Sequence, residues 1–149
     1  MMFFLDERGQ AGIPTASYWG ARMLAQEWVK PGDEAHELFP AASDLKNSQG
    51  EQIVTAYALH RPDGLWSLLL INKDPSQVHE VKVLFHEGSD TGPFIGPIQV
   101  VQFSPRQYQL NSDREKPFPI KSDPPARFEA IQTINLPAYS LTVVRGKVE

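Results

Sequence analysis

Two histidine–glutamate pairs, His79-Glu80 and His86-Glu87, are the residues whose types most readily suggest chemistry. Imidazole and carboxylate groups both bind zinc, but a site needs three or four such ligands to converge. Side chains of a strand alternate between its two faces, so histidines seven positions apart on one strand point in opposite directions. The spacing argues against a metal site, and we expect neither a metal nor another cofactor.

Carboxylate pairs offer a second chemistry, because glycoside hydrolysis needs only two of them facing each other across a cleft. The acidic side chains in question alternate with apolar residues or flank turns, as is typical of solvated positions. The common motifs of hydrolases and nucleotide-binding proteins, such as Gly-x-Ser-x-Gly and His-Glu-x-x-His, are absent from the sequence. No catalytic residue is predicted, and the sequence leaves open whether the chain is an enzyme. The carboxylates considered are Glu51, Glu80, Glu87 and Glu129.

Aromatic rings are the third candidate, because a flat ring can stack on a sugar. Tyr57 and Trp66 lie inside apolar strand patterns and are expected in the core. Phe94 in TGPFIGP and Tyr108 in PRQYQL lie among turn residues, where side chains are more often exposed. We therefore predict Phe94 and Tyr108 as the carbohydrate-binding residues, and give no separate role to the remaining candidate, Tyr139.

Composition limits the class of protein that can carry these residues. The chain has 149 residues, no cysteine and a formal net charge of −4 with both signs interspersed. This excludes disulfides and thiolate sites, and it lacks the clustered basic surface that nucleic acid requires. The apolar start MMFFL is too short for a membrane span or a signal peptide and predicts a short buried strand. Neither nucleic acid nor a membrane is an expected partner, and a cytoplasmic location is the default expectation.

A helix is predicted near the N terminus, from about Ala16 to Lys30. Thr15 or Ser17 can cap its first turn, and Pro31-Gly32 ends it. The following stretch PGDEAHELFPAASDLKNSQG has turn residues and no clear period, which predicts a polar connector. We place a boundary there, with residues 1–45 forming a strand, helix and connector and residues 46–149 forming a second unit.

The predicted helix has apolar residues on two sides. At 100° per residue, Tyr18, Leu24 and Trp28 share one side, while Trp19 and Met23 lie on another beside polar residues. We expect the Tyr18 side to pack on the rest of the chain. Trp19 and Met23 are then predicted to be partly exposed, or covered by another domain or a second copy of the chain.

From Glu51 onward the pattern is that of strands. EQIVTAYALH alternates, and LWSLLLIN is apolar on both faces, as expected for a central strand. Pro62-Asp63-Gly64 between them predicts a hairpin turn over Arg61 to Gly64. Further short apolar segments predict a mainly β fold, an antiparallel β-sandwich of about seven or eight strands with one N-terminal α-helix. Its predicted core includes Leu68, Leu70, Val83, Leu141 and Val143.

Three segments together resemble the C-terminal part of a known group of enzymes. In chain order they read SYWGARMLAQEWVKPGD, GEQIVTAYALHRPDGLWSLLLINKDP and INLPAYSLTVVRG. This order is similar to the last barrel helix and the following β-sandwich of retaining barrel-clan glycoside hydrolases, such as α-L-arabinofuranosidases, β-xylosidases and β-glucuronidase-like enzymes. The resemblance extends from about Phe3 to Gly146.

The resemblance implies a non-catalytic accessory β-sandwich that packs against and supports a (β/α)8 catalytic barrel outside this chain. The catalytic carboxylates of that family belong to the barrel, so the resemblance assigns no catalytic residue here. It implies that Trp19 and Met23 contact either the barrel or a second copy of the chain. One alternative is a stand-alone carbohydrate-binding module that presents Phe94 or Tyr108, and another is a small glycosidase in its own right.

Overall fold

The computed structural model describes residues 1–6, 8–111 and 118–148. Antiparallel strands dominate, and one helix lies near the N terminus, which confirms the predicted mainly β class. The helix α1 (Ala16–Met23) continues as a π-helical segment, Leu24–Trp28. No helix in the described ranges is long and apolar enough to cross a membrane. The strands are β1 (Phe3–Leu5), β2 (Ala11–Pro14), β3 (Glu37–Phe39), β4 (Val54–His60), β5 (Trp66–Asn72), β6 (His79–Lys82), β7 (Phe85–Glu87), β8 (Asp90–Gly92), β9 (Ile95–Phe103), β10 (Tyr108–Leu110), β11 (Pro119–Ser122), β12 (Ala126–Ala130), β13 (Thr133–Leu136) and β14 (Ser140–Lys147).

A six-stranded antiparallel sheet is the centre of the fold, with the strand order β12-β9-β14-β5-β4-β3. β5 lies between β14 and β4, so the prediction that LWSLLLIN forms a central strand is confirmed. The hairpin before it is confirmed as well, because the Arg61 amide donates to the Leu65 carbonyl (2.8 Å) and the Gly64 amide to the Arg61 carbonyl (2.9 Å). Gly64 has φ of 78°, which glycine adopts without steric cost.

One face of this sheet is covered by smaller antiparallel pairs, which gives a sandwich-like arrangement. The β6–β13 pair supplies Ile134 and Leu136, both almost completely buried, and Phe85 of the β7–β8 pair packs beside them. They contact side chains of the large sheet that are all even-numbered. These side chains lie on one face because strand residues two positions apart point the same way. The contacting sheet residues are Val54, Ala58, Leu68, Leu70, Ile98, Val100 and Val144.

The opposite face of the sheet is covered by the helix. Trp19 and Met23 are buried there against Leu69, Val101 and Val143. The predicted exposure of Trp19 and Met23 is therefore wrong, since they are 7% and 1% exposed within a single chain. They are not available for the predicted contact with a barrel or a second copy. Of the side that was expected to pack, Tyr18 and Trp28 are half-buried against the same cluster, whereas Leu24 is 40% exposed.

A buried carboxylate explains why the helix turns this side inward. Glu27 lies on the same side as Trp19 and Met23, and it is only 7% exposed. Its side chain pairs with Arg127 and, at 3.4 Å, with Arg145, and its backbone carbonyl accepts from Arg61 Nη1 at 3.0 Å. A buried charge is tolerated only when it is paired, and these arginines supply the pairs. Burial lowers the pKa of Arg145, an effect that the neighbouring Glu27 carboxylate opposes.

The predicted core is largely confirmed, with some differences toward the N terminus. Leu68, Leu70 and Val143 are buried, while Val83 and Leu141 are half-buried against the same clusters. MMFFL does contribute the strand β1, but Leu5 is 66% exposed, so the prediction of a buried strand is wrong.

The predicted connector contains a strand, β3, that extends the large sheet by pairing with β4. Residues 1–45 thus provide both the helix on one face and an edge strand of the sheet. The division of the chain at residue 45 stays a prediction.

The Glu27 pairs can be tested by the isosteric change Glu27→Gln. The variant leaves Arg145 without its counter-charge, and hydrogen bonds to charged groups contribute about 1.5–3 kcal/mol each. We expect the free energy of unfolding, measured in urea, to fall by about that amount. Glu34→Gln is the matched control, because Glu34 is exposed and, among the described residues, its carboxylate pairs with Lys30 alone, at 2.5 Å. Exposed pairs are worth about 0–1 kcal/mol, so equal losses in the two variants would contradict this role of Glu27.

Candidate functional site

Phe94, the first predicted carbohydrate-binding residue, is in the core. It is 6% exposed, and its ring lies 4.9 Å from that of Phe85. Its ring also covers Gly146 so closely that a Cβ at Gly146 would lie 2.5 Å from Phe94 Cδ1. The prediction that Phe94 is exposed is therefore wrong, because turn residues around it indicated a loop while a glycine on β14 leaves room for the ring.

The predictions for the other aromatic residues are confirmed only in part. Tyr108 is half-buried on the helix-covered face, 6.3 Å from the ring of Phe103. Tyr57 was expected in the core but is 48% exposed, with its ring 6.3 Å from that of Trp28. Trp66 is half-buried against the core, between Phe39 and Phe85. The structure does not bring Phe94 and Tyr108 together, since they pack in separate clusters.

The histidines and the four glutamates considered above are distributed over several strands and loops, and the described part of the chain brings no metal-binding group together. His79 is on β6 and His86 on β7, so they do not share one strand. His79 Nε2 lies 2.9 Å from Asp74 Oδ2, and His86 Nδ1 lies 2.9 Å from Thr91 Oγ1. Within the described ranges no three potential ligands come close enough to hold a metal ion. The four glutamates considered above are exposed, as the sequence predicts.

A depression at one end of the six-stranded sheet is the feature that sequence reasoning missed. Thr55, Ile71, Leu141 and Phe103 lie side by side across four strands, on the face that carries the helix. Ile71 and Leu141 are only half-buried, whereas Leu69 and Val143, two positions further along, are buried under the helix. The uncovered residues line an open, apolar depression of about 320 Å³, which is the first half of the site. It is lined by Ile71, Asn72, Lys73, Phe103, Tyr139, Ser140 and Leu141.

The second half of the depression is polar. It continues from Lys73, which lines both halves, and has a volume of about 550 Å³. Besides Lys73, it is lined by Asn47, Glu51, Gln52, Ile53, Asp74 and Pro75. We call the two halves together the sheet-end depression. It combines apolar side chains, an aromatic ring, amides, carboxylates and an amine in one place.

Asn72 holds the loops that form the sheet-end depression. This residue is 1% exposed, and its Nδ2 lies 2.8 Å from the Pro137 carbonyl and 3.0 Å from the Leu136 carbonyl. Its Oδ1 accepts from the Asp74 amide at 3.0 Å. A buried amide with these partners fixes both loops at once, because leaving any of these groups unpaired costs about 1–3 kcal/mol.

Tyr139 is placed by one of these loops in an unusual backbone conformation. Its φ is 48°, in the left-handed region that residues other than glycine seldom adopt. Its amide donates to the Asp74 carbonyl at 3.0 Å, which ties it to the neighbouring loop. The side chain is nevertheless 62% exposed. Strain that is kept for a side chain contributing little to the core points to a function for that side chain.

Asp74 is the charged group most strongly affected by the local structure. The backbone amides of Ser76 and Gln77, and the side chain of His79, hold the pKa of Asp74 at about 2. The amides donate at 2.9 Å each to Oδ1. Asp74 is therefore an ionised carboxylate whose hydrogen-bonding capacity is largely used within its own loop.

Known proteins do not assign a role to this site. Neither a scan against protein-family models nor a search of the curated proteins found a match for the chain. The sequence did contain one signal of the site, since the apolar run of β5 ends abruptly in Asn72-Lys73-Asp74.

The low pKa of Asp74 predicts a pH dependence of stability. Because its folded-state pKa, about 2, lies below the ordinary value of 3.8, ionised Asp74 stabilises the fold above pH 4. That contribution is lost as the pH falls from about 4 to about 2. In urea unfolding, the stability difference between wild type and Asp74→Asn should therefore shrink across this range. A difference that stays constant between pH 5 and pH 2 would contradict the assignment.

Proposed function

We propose that this chain is a non-catalytic accessory β-sandwich domain of a retaining glycoside hydrolase, one that packs against a (β/α)8 barrel outside the chain. The three segments that carry the resemblance support this, because they fold into adjoining elements. The first forms α1 and the π-helical segment, the second forms the β4–β5 hairpin, and the third forms β13 and β14. β14 pairs with β5, and the helix lies on both strands. The three segments therefore form one contiguous part of the fold.

An exposed apolar surface is the observation that carries the proposal of a neighbouring domain. It lies on two small sheets, β1–β2 and β10–β11, which are in contact: Ser122 Oγ donates to the Pro14 carbonyl at 2.6 Å, and the rings of Phe4 and Phe118 are 6.3 Å apart. Large exposed apolar patches on a folded chain are typical of surfaces that another protein surface covers. We call this surface the N-terminal patch; its exposed side chains are Met2, Leu5, Leu110, Phe118 and Ile120.

The carboxylates support a non-catalytic role. Among the described residues Glu27 is the only buried carboxylate, and Arg127 and Arg145 neutralise it. A retaining glycosidase needs two carboxyl groups about 5–5.5 Å apart, one of which can be protonated to act as an acid. Glu27 is instead enclosed in the fold and paired with two guanidinium groups.

The proposal predicts binding to a barrel through the N-terminal patch. We would co-express this chain with the barrel of an α-L-arabinofuranosidase or a β-xylosidase from which its own C-terminal sandwich has been removed. The chain should co-purify with at least one such barrel and raise its soluble yield. The double variant Leu5→Glu/Ile120→Glu should abolish co-purification, because it places charges in the apolar contact.

The control for this experiment is Ile131→Glu. Ile131 is 77% exposed and lies outside the N-terminal patch, so this variant should bind as the wild type does. The proposal of an accessory domain would be contradicted if no barrel co-purified with the chain. It would also be contradicted if Ile131→Glu and the double variant lost binding equally.

Turnover tests the non-catalytic part of the proposal separately. The purified chain should hydrolyse aryl α-L-arabinofuranosides, β-xylosides and β-glucuronides no faster than a blank, because the resemblance assigns the catalytic carboxylates to the barrel, outside this chain. Released nitrophenol is the measurement. Reproducible turnover that disappears in Glu51→Gln or Asp74→Asn would show instead that the chain is a glycosidase in its own right.

A further inference from the structure

We infer that the sheet-end depression is a carbohydrate-binding site in which a sugar ring stacks on Tyr139 and is hydrogen-bonded by the polar half. This inference goes beyond the proposed function, which assigns the chain no ligand. It rests on the proposed function only for the choice of polysaccharides to be tested. The residues that carry it are different from Phe94 and Tyr108, and none of them belongs to the N-terminal patch.

The apolar half matches the hydrophobic face of a sugar ring. Pyranose rings carry C–H groups on their faces and hydroxyl groups around their edges, so they stack on aromatic side chains. Tyr139 offers such a ring in an exposed position, next to a floor of Ile71, Leu141 and Phe103. An apolar side chain in the place of Tyr139 would fill the depression equally well, but it would not offer a flat stacking surface.

The polar half matches the hydroxyl groups at the edge of the ring. Glu51 and the side-chain oxygen of Gln52 can accept hydrogen bonds, and the Lys73 amine can donate them, whereas the Asn47 amide is used within its own turn. Asn47 Nδ2 lies 2.9 Å from Glu51 Oε2, and Asn47 Oδ1 accepts from the Glu51 amide at 2.9 Å. These bonds hold the two side chains in a fixed arrangement, which reduces the entropy that a ligand must overcome.

The charges around the depression favour a neutral ligand. The polar half is lined by charges of both signs, the Glu51 and Asp74 carboxylates and the Lys73 amine. The Asp74 carboxylate is already occupied by two backbone amides and His79. An anionic ligand would therefore meet the Glu51 and Asp74 carboxylates, and a cationic ligand would meet the Lys73 amine. A polyhydroxyl ligand, by contrast, meets hydrogen-bond donors and acceptors.

Size and rigidity agree with a small ligand. The two halves, about 320 and 550 Å³, are open to solvent, so a small ligand bound there would keep one side exposed. The loops around them are fixed to the sheet by Asn72 and by the bond from the Lys73 amide to the Ile53 carbonyl, at 2.8 Å. The strained Tyr139 is thus held in position before any ligand arrives, and binding need not pay for that conformation.

Affinity electrophoresis tests the inference directly. The full chain is run in native gels that contain soluble xylan, arabinan, mixed-linkage β-glucan or galactomannan. We expect at least one of these to retard the wild type. Tyr139→Gly should weaken that retardation at least tenfold, because it removes the stacking ring, and glycine tolerates the positive φ without endangering the fold. Gln52→Ala should weaken retardation by a smaller factor, through loss of hydrogen bonds.

Tyr57→Ala is the matched control, since Tyr57 is an exposed tyrosine that does not line the depression. It should keep wild-type retardation. No retardation in any gel, or equal weakening by Tyr139→Gly and Tyr57→Ala, would overturn the inference. The barrel experiment uses changes at Leu5 and Ile120, outside the depression, so failure of the accessory-domain proposal and failure of this one can be told apart.

Discussion

The charge pairs of Glu27 are the interaction on which the arrangement of the other elements depends. They fasten the end of the helix to Arg145 of β14 and Arg127 of β12, two strands on either side of β9. Trp19 and Met23 then fall on the sheet, and Leu24 is left at the surface. A buried ion pair adds little net stability compared with apolar packing, but it tolerates few alternative positions. We infer that its main effect is to select one placement of the helix.

The placement of the helix determines what remains open on that face of the sheet. The row containing Leu69 and Val143 is covered, whereas the row containing Ile71 and Leu141 is only half-buried. Asn72 borders this open row and connects the sheet to both loops that surround it. The candidate site is therefore a consequence of two polar residues, one on the helix and one at the end of a core strand.

The two proposed surfaces serve different purposes and lie on different elements. The N-terminal patch is apolar and belongs to small sheets outside the six-stranded one, as expected of a surface that another domain covers. The sheet-end depression mixes apolar and polar side chains, as small-ligand sites do. An accessory domain with both surfaces would hold a sugar chain near the enzyme to which it is attached.

The sequence alone was sufficient for features that depend on near neighbours. The turn at Arg61 to Gly64, the helix start at Ala16 and the burial of Leu68 and Leu70 on β5 were all predicted and confirmed. Of the two candidate caps for the helix, the structure uses Thr15. Each depends on residues that are adjacent along the chain or within one strand. Turn geometry, capping and side-chain alternation are local properties, so a single sequence carries them.

Only the tertiary structure decided which side of the helix is buried, where Phe94 lies and which tyrosine faces the depression. The charged Glu27 made the inner side of the helix look polar, because the arginines that neutralise it come from distant strands. Phe94 is buried because Gly146, far along the chain, leaves space for its ring. Tyr139 is exposed because Asn72 fixes the loop before it. Charge pairing and steric fit join residues remote in sequence, and local periodicity contains no information about such partners.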